Sequence, residues 1–458
     1  MNNIIAMDPL AVKNRFVISE IIDGSKISLF HVNLVTICFF VMLFDGYDIQ
    51  ALSLAAPLIG KTWHLQHGTL GPVFSSALFG MMIGASILAP IGDKFGRNKI
   101  VILGLIGFGL ASLVTPACQN MESLLYVRFF TGLFVGIAIP NAVGLVAEYT
   151  PLRSRATAVT VMFVGYTGGG LLSSVMATYL MSSYGWQILF VIGGVIPLLI
   201  AALSFFMLPR SIEFLLTIKN SEQKIFNILK KIQNIPFESV DFFNSLKKEY
   251  SSNRVSVKTL FSEQRFLMTI LLWVCFICSL YTIYFMISWL PTVIRNVGLS
   301  TDETSIVMAW FAIGNMTGTI ISGKIIDRKS VKPFIAFFCL GAVAVAALGF
   351  IGKSEIALNF GVFFAGLFVV GSQGGLNAIA SLAYPRAVIA TGVGWALGVG
   401  RLGSIIGPLI GGLLLAAQMP ARTIFVIGAM PMLICALSCF LLVQNGKLNL
   451  NQQKTIEN

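Results

Sequence analysis

The sequence predicts an all-α membrane protein with twelve transmembrane helices in two six-helix bundles, and three observations lead there. Of 458 residues, 56% are hydrophobic and only 11% charged, with a mean hydropathy of +0.85, far outside soluble composition. Apolar runs of about 20 residues, enough to cross roughly 30 Å of hydrocarbon, recur twelve times along the chain. A polar, Lys-rich stretch with few glycines then divides those runs six and six.

Residues 1-27 carry mixed charge and lack an apolar core before a small-residue cleavage site, so they read as a cytoplasmic N-terminal segment and the first span is retained. The N-terminal six-helix bundle covers 28-208, with spans near 28-58, 69-91, 100-118, 123-147, 157-181 and 186-208. Residues 209-265 form a cytoplasmic linker, marked by Lys230-Lys231 and Lys247-Lys248. Within it, Ile225, Ile228, Leu229 and Ile232 recur at helical spacing, which predicts either an amphipathic helix along the membrane interface or a solvated linker helix. The C-terminal bundle covers 266-443, with spans near 266-293, 304-326, 333-352, 356-383, 388-416 and 421-443, and 444-458 is a cytoplasmic tail.

Orientation follows from the uneven placement of Lys and Arg. Lys13, Arg15 and Lys26 precede the first span, Lys94, Arg97 and Lys99 follow the second, and Arg153 and Arg155 follow the fourth. Lys324, Arg328, Lys329 and Lys332 lie between the eighth and ninth, whereas the intervening loops carry only Lys61, Arg295, Lys353 and Arg422. This predicts a multi-pass protein of the cell (inner) membrane with both termini cytoplasmic. The net charge of +12 is accounted for by basic loops beside anionic lipid, without a nucleic-acid partner.

An internal repeat supports the division. The second span runs into Ala89-Pro90-Ile91-Gly92-Asp93-Lys94-Phe95-Gly96-Arg97-Asn98-Lys99, and the eighth ends in Gly323-Lys324-Ile325-Ile326-Asp327-Arg328-Lys329. An acid followed by base at a helix end can clamp one end of a bundle and release it when the halves rock. Asp93, Lys94, Arg97, Glu148, Arg153, Asp327 and Arg328 are therefore the candidate cytoplasmic gate.

The first of these loops resembles the signature of the major facilitator superfamily, Gly-x-x-x-Asp-Arg/Lys-x-Gly-Arg-Arg/Lys-Arg/Lys, through Asp93, Lys94, Gly96, Arg97 and Lys99, and departs from it at Ala89 and Asn98. Phe44-Asp45-Gly46-Tyr47-Asp48 resembles the Asp-Gly-aromatic-Asp motif of the aromatic acid:proton symporter family. Arg128, Gly132, Gly136, Pro140-Asn141-Ala142 and Glu148-Tyr149-Thr150-Pro151 with Arg153 and Arg155 are similar to that family's fourth helix, and Thr391 to Gly403 to its eleventh. Two departures stand out. Ile389 occupies a position where the family usually has Arg, which Arg386 is placed to replace. The usual Pro-Glu-Ser-x-Arg after helix six becomes Pro209-Arg210-Ser211-Ile212-Glu213, whose three-residue spacing predicts a local pair of Arg210 with Glu213. The resemblance implies alternating access and import of a small aromatic carboxylate, of benzoate or hydroxybenzoate type, together with protons.

The residues carry a compatible chemistry of their own. Asp45 and Asp48 lie three apart on one helical face inside hydrocarbon, where desolvation disfavours the ionised form and lets a carboxylate take up and release a proton. Either the two share that proton, or one pairs permanently with Arg128, the intramembrane charge partner that enters from the same side on the fourth span. Arg401 sits mid-span among Gly398, Gly400 and Gly403. Its planar fork can grip a substrate carboxylate at two points, or a fixed protein acid. Tyr281, Tyr284 and Trp289 before an expected break at Pro291, Gln373 and Asn377 four apart on one face, and Phe163, Tyr166 and a bendable Gly168-Gly169-Gly170 complete a candidate substrate cavity.

Other residues exclude more than they suggest. The seven cysteines show no close pairing, and His31, His64 and His67 lack metal-ligand spacing, so neither disulfides nor a metal site are expected. No Walker-type phosphate loop occurs, and no nucleophile-base constellation, which argues against ATP-driven transport and against an enzyme. No cofactor is expected beyond a proton gradient, and the expected partners are the acid, protons and the lipid bilayer around a monomer. A carrier of nicotinate, a dicarboxylate or a sugar acid is the nearest alternative, and a non-transporting sensor of the same fold a more distant one.

Overall fold

Glycine, rather than proline, sets how these helices meet. The computed structural model describes residues 18, 21–66, 68–218, 221–232, 260–261, 265–327, 332–384 and 389–444. The long helices are α1 Leu29–Thr62, α2 Gly71–Ile83, α3 Arg97–Val114, α4 Met121–Tyr149, α5 Leu152–Met176 and α6 Gln187–Met207, followed by α7 Phe266–Val297, α8 Thr301–Asp327, α9 Lys332–Leu348, α10 Glu355–Ala383, α11 Ile389–Ala416 and α12 Ala421–Gln444. Among the described residues, eleven stretches are long and apolar enough to span a bilayer, and α9 is apolar but shorter, at 17 residues.

Local chemistry sets the helix ends. Asn120 accepts from the Ser123 amide at 2.8 Å to start α4, and Ser354 accepts from Ala357 to start α10. Gly298 closes α7 at φ +111°, a conformation that suits glycine. Prolines inside α1, α4, α6, α7, α11 and α12 do not interrupt them, and α7 runs unbroken through Pro291, against the expected break. The irregularities are wide π-helical turns instead, at Gly84–Leu88 after α2 and Ala177–Met181 after α5.

Within the first six helices, α1 lies along α5 and α2 along α4. The seam of α1 with α5 is made by small residues: a Cβ on Gly46 would overlap the Tyr166 carbonyl, and one on Gly169 the Leu43 carbonyl. Gly168-Gly169-Gly170 does not interrupt α5, which stays helical to Met176. Within the second set, α7 packs on α11 and α12, and α8 on α10.

The two sets meet through α1 on α7, α2 on α11 and α5 on α8. Hydrogen bonds across this joint run from Ser53 to the Ile287 carbonyl and from Ser75 to the Ile405 carbonyl at 2.7 Å. Phe74 meets Trp289 edge-on at 5.4 Å between centroids. These contacts lie away from the end that carries Arg97 and Arg153. The joint is thus tied at the end opposite the basic loops.

The amphipathic helix appears as Glu222–Ile232, with Ile225, Leu229 and Ile232 buried. That face packs on protein, since the helix touches α1 and the short helix Ile212–Thr217. All seven cysteines are free thiols, three of them clustered between α7 and α12. Cys275 and Cys439 bring their sulfurs to 4.0 Å, and Cys435 donates to the Cys275 carbonyl at 3.3 Å, because α7 and α12 run antiparallel in contact.

Candidate functional site

The two aspartates on α1 have different surroundings, although both are about 5% exposed. Arg128, fully buried on α4, places Nη1 at 2.8 and 3.0 Å from the two carboxylate oxygens of Asp48. Its Nη2 donates to Thr115, and its guanidinium lies over the Phe190 ring at 5.1 Å. Tyr47, between the aspartates in sequence, turns away and donates to the Leu189 carbonyl at 3.1 Å. Asp48 thus belongs to a closed cluster of α1, α4, α6 and the turn that follows α3.

Asp45 makes no ion pair or hydrogen bond with any described residue, and the charges nearest to it are those of Arg401 and Asp48. Partly buried on α11, Arg401 likewise forms no ion pair with a described acid. Its Nη1 donates to the Met81 sulfur at 3.0 Å and lies 3.4 Å from the Tyr284 hydroxyl. Tyr166 meets Tyr284 across the joint, with Asp45 and Arg401 both close enough for their charges to act on it. Asp45, Met81, Tyr166, Tyr284 and Arg401 therefore converge from α1, α2, α5, α7 and α11 on one point between the two halves.

Other candidates fall outside that point. Trp289 is buried and donates to the Pro408 carbonyl at 2.8 Å, which fixes it in the tied end of the joint. Tyr281 stacks on Phe285 at 5.9 Å. Gln373 is partly buried with its carbonyl oxygen lacking a partner, while Asn377, four residues on, is exposed. Phe163 is 48% exposed, away from the cluster. Met81 cannot be singled out from the sequence, since a methionine in an apolar span carries no polar signal.

At the basic end, Arg97 holds Asp93 at 3.2 Å, Glu148 at 3.3 Å and Glu213 at 2.8 Å. Glu148 also accepts from Ser211 Oγ at 2.8 Å and from the Glu213 amide at 2.9 Å. Glu213 therefore pairs with Arg97 and not, as its spacing suggested, with Arg210, which is exposed while its carbonyl accepts from Tyr149. Lys94 is exposed, and Arg153 donates to the Ser25 carbonyl at 2.6 Å. The side chain of Asp327, together with Arg328, Arg386 and His67, lies outside the described residues.

Asn141 fixes the turn between the gate and the site. It donates to the Ala89 and Ile137 carbonyls at 3.1 and 2.8 Å, and Gly92 leaves room for its amide. This holds the π-helical end of α2 on α4, the helix that also carries Glu148 of the Arg97 cluster.

Comparison with known proteins agrees with this architecture. The profile of the Major Facilitator Superfamily matches residues 38–395 and 272–457. Among curated proteins, the gallate transporter of Pseudomonas putida is 32% identical over 94% of this chain and 96% of its own length. The 4-hydroxybenzoate transporter PcaK of Acinetobacter baylyi is 32% identical over 96% of each, and the benzoate transport protein of the same organism 32% identical over 93% and 92%. Among solved structures, a bacterial homologue of the lysosomal transporter Spinster superposes with a TM-score of 0.68 at 16% identity, covering 92% of this chain and 98% of its own. The D-xylose-proton symporter superposes with a TM-score of 0.67 at 15% identity, covering 89% and 97%. With matches along nearly its full length and a site built where two six-helix sets meet, this chain belongs to the major facilitator superfamily, whose members are transporters and not enzymes, and within it to the branch of the aromatic acid carriers.

Proposed function

We propose that the protein imports a small aromatic carboxylate, of benzoate or hydroxybenzoate type, together with protons, by alternating access across the inner membrane. The observation that carries this reading is the pair of unsatisfied charges at the joint: among the described residues Arg401 has no acid partner and Asp45 no hydrogen-bond or ion-pair partner, and each is within electrostatic reach of the other. A partly buried guanidinium with unused donors favours an anion beside it. A carboxylate substrate meets that demand, assisted by the hydroxyls of Tyr284 and Tyr166.

Proton coupling follows from the same geometry. Ionised Asp45 presents a negative charge to Arg401 and repels a substrate carboxylate from the same place. Protonated Asp45 is neutral and leaves Arg401 to the substrate. Substrate and proton therefore enter together, and the half-loaded site keeps a net charge that opposes rocking. Asp48, already paired with Arg128, is left out of the exchange at Arg401. The Arg97 cluster rests within the first half and its linker, consistent with a cavity open towards the basic, cytoplasmic end.

The deciding experiment is uptake of labelled 4-hydroxybenzoate into proteoliposomes under an inward proton gradient, with a protonophore control. Competition is tested with unlabelled benzoate, gallate, nicotinate, succinate and glucose. Gradient-dependent uptake blocked by the aromatic acids is the expected result. Uptake blocked by succinate or glucose but by no aromatic acid would overturn the substrate class and keep the carrier.

A further inference from the structure

The helices α2 and α11 run antiparallel across the joint, and their contacts descend in order from the tied end to mid-membrane. Gly68 lies against Gly412, Gly71 against the Pro408 carbonyl, Ser75 bonds the Ile405 carbonyl at 2.7 Å, and Met81 accepts from Arg401 at 3.0 Å. The innermost rung of this ladder is thus made by the guanidinium assigned above to the substrate. Of these rungs, it is the one made by a charged side chain.

Met81 is well placed to be more than packing. It is 3% exposed, and its backbone is held on α4, where a Cβ on Gly136 would overlap the Met81 carbonyl. Gly80 and Gly84 press in the same way on the Phe129 and Leu133 carbonyls. The sulfur therefore sits in a fixed position facing Arg401. A thioether is a weak, neutral acceptor, strong enough to orient the guanidinium and too weak to compete with a carboxylate.

We propose that Met81 is a positioning residue that stands in for the substrate carboxylate: in the empty carrier its sulfur holds Arg401 against the first half, and substrate displaces it. This rests on the transport reading above. The contact exists only without substrate, so it acts on the return of the empty carrier. Net uptake requires that return, whereas exchange of internal for external substrate skips it.

The test measures net uptake and exchange of the same labelled acid in proteoliposomes for the wild type, Met81→Leu and Met81→Gln. Leu keeps the volume and removes the acceptor, while Gln offers a stronger one. Met81→Gln should lower net uptake about threefold with exchange retained and raise KM, and Met81→Leu should shift the net-to-exchange ratio and KM the opposite way, the size expected of one modest hydrogen bond. A ratio unchanged in both variants, or net uptake and exchange falling together, would overturn the role of Met81 while leaving transport intact. A wild type silent in both modes would instead overturn the transport reading, and this proposal with it.

Discussion

Arg128 reaches both carboxylate oxygens of Asp48, at 2.8 and 3.0 Å, and neither oxygen of Asp45, one turn away on the same helix. The reason is the neighbouring scaffold: Thr115 and Phe190 hold the guanidinium from the far side, and Gly46 brings α1 close to α5 so that Asp45 looks into the joint. Two acids in one motif are thereby given different roles, one paired and one free.

Substrate affinity should fall as pH rises, because ionised Asp45 competes with the substrate carboxylate for Arg401 while protonated Asp45 does not. In Asp45→Asn, binding should become independent of pH and accumulation against a gradient should disappear, with exchange retained. Equilibrium binding of labelled 4-hydroxybenzoate across a pH series checks this. A variant whose affinity still tracks pH as the wild type does would move the proton elsewhere.

Asp48→Asn leaves a fully buried guanidinium without a counter-charge, at a cost of about 3–5 kcal/mol. Its thermal unfolding midpoint should drop sharply, and Asp48→Asn combined with Arg128→Met should recover much of the loss, since no unpaired charge then remains. Equal midpoints for Asp48→Asn and wild type would show that the pair is not load-carrying for the fold.

Arg401→Lys keeps the positive charge but replaces a planar two-point fork with a point charge. Apparent KM for the aromatic acid should rise roughly tenfold or more, the scale of one lost charge-assisted hydrogen bond, with folded yield unchanged. Saturation kinetics in proteoliposomes measure it, and an unaltered KM would remove Arg401 from the carboxylate site.

Gly46→Ala places a methyl group into the Tyr166 carbonyl and should cost about 1–3 kcal/mol by forcing α1 off α5. Gly168→Ala, where no atom lies within 4 Å of the added carbon, should be neutral. Thermal midpoints of the two variants side by side separate close approach from helix propensity, and equal midpoints would contradict the seam.

Much of this protein could be read in one dimension, because a bilayer forces long apolar helices and the charges left inside them stand out. Composition and the spacing of apolar runs predict the helical, membrane-spanning class, and Asp45, Asp48, Arg128 and Arg401 are visible as charges in hydrocarbon. The resemblance of Asp45 to Asp48 and of Thr391 to Arg401 to family motifs pointed to the chemistry as well.

Pairing needed three dimensions. Asp45 and Asp48 are equivalent by spacing, and which one meets Arg128 depends on how α4 packs on α1 and on where Thr115 holds the guanidinium. Glu213 has a base three residues before it in the chain, yet bonds Arg97, which lies 116 residues away, since the short helix after α6 turns it under α3. Tyr166, Tyr284 and Met81 become neighbours of Arg401 through contacts between halves, where each helix contributes one or two side chains and none leaves a periodic trace. Apolar patterning records which faces avoid water, and in a membrane nearly every face does, so the choice of partner is left to helix packing.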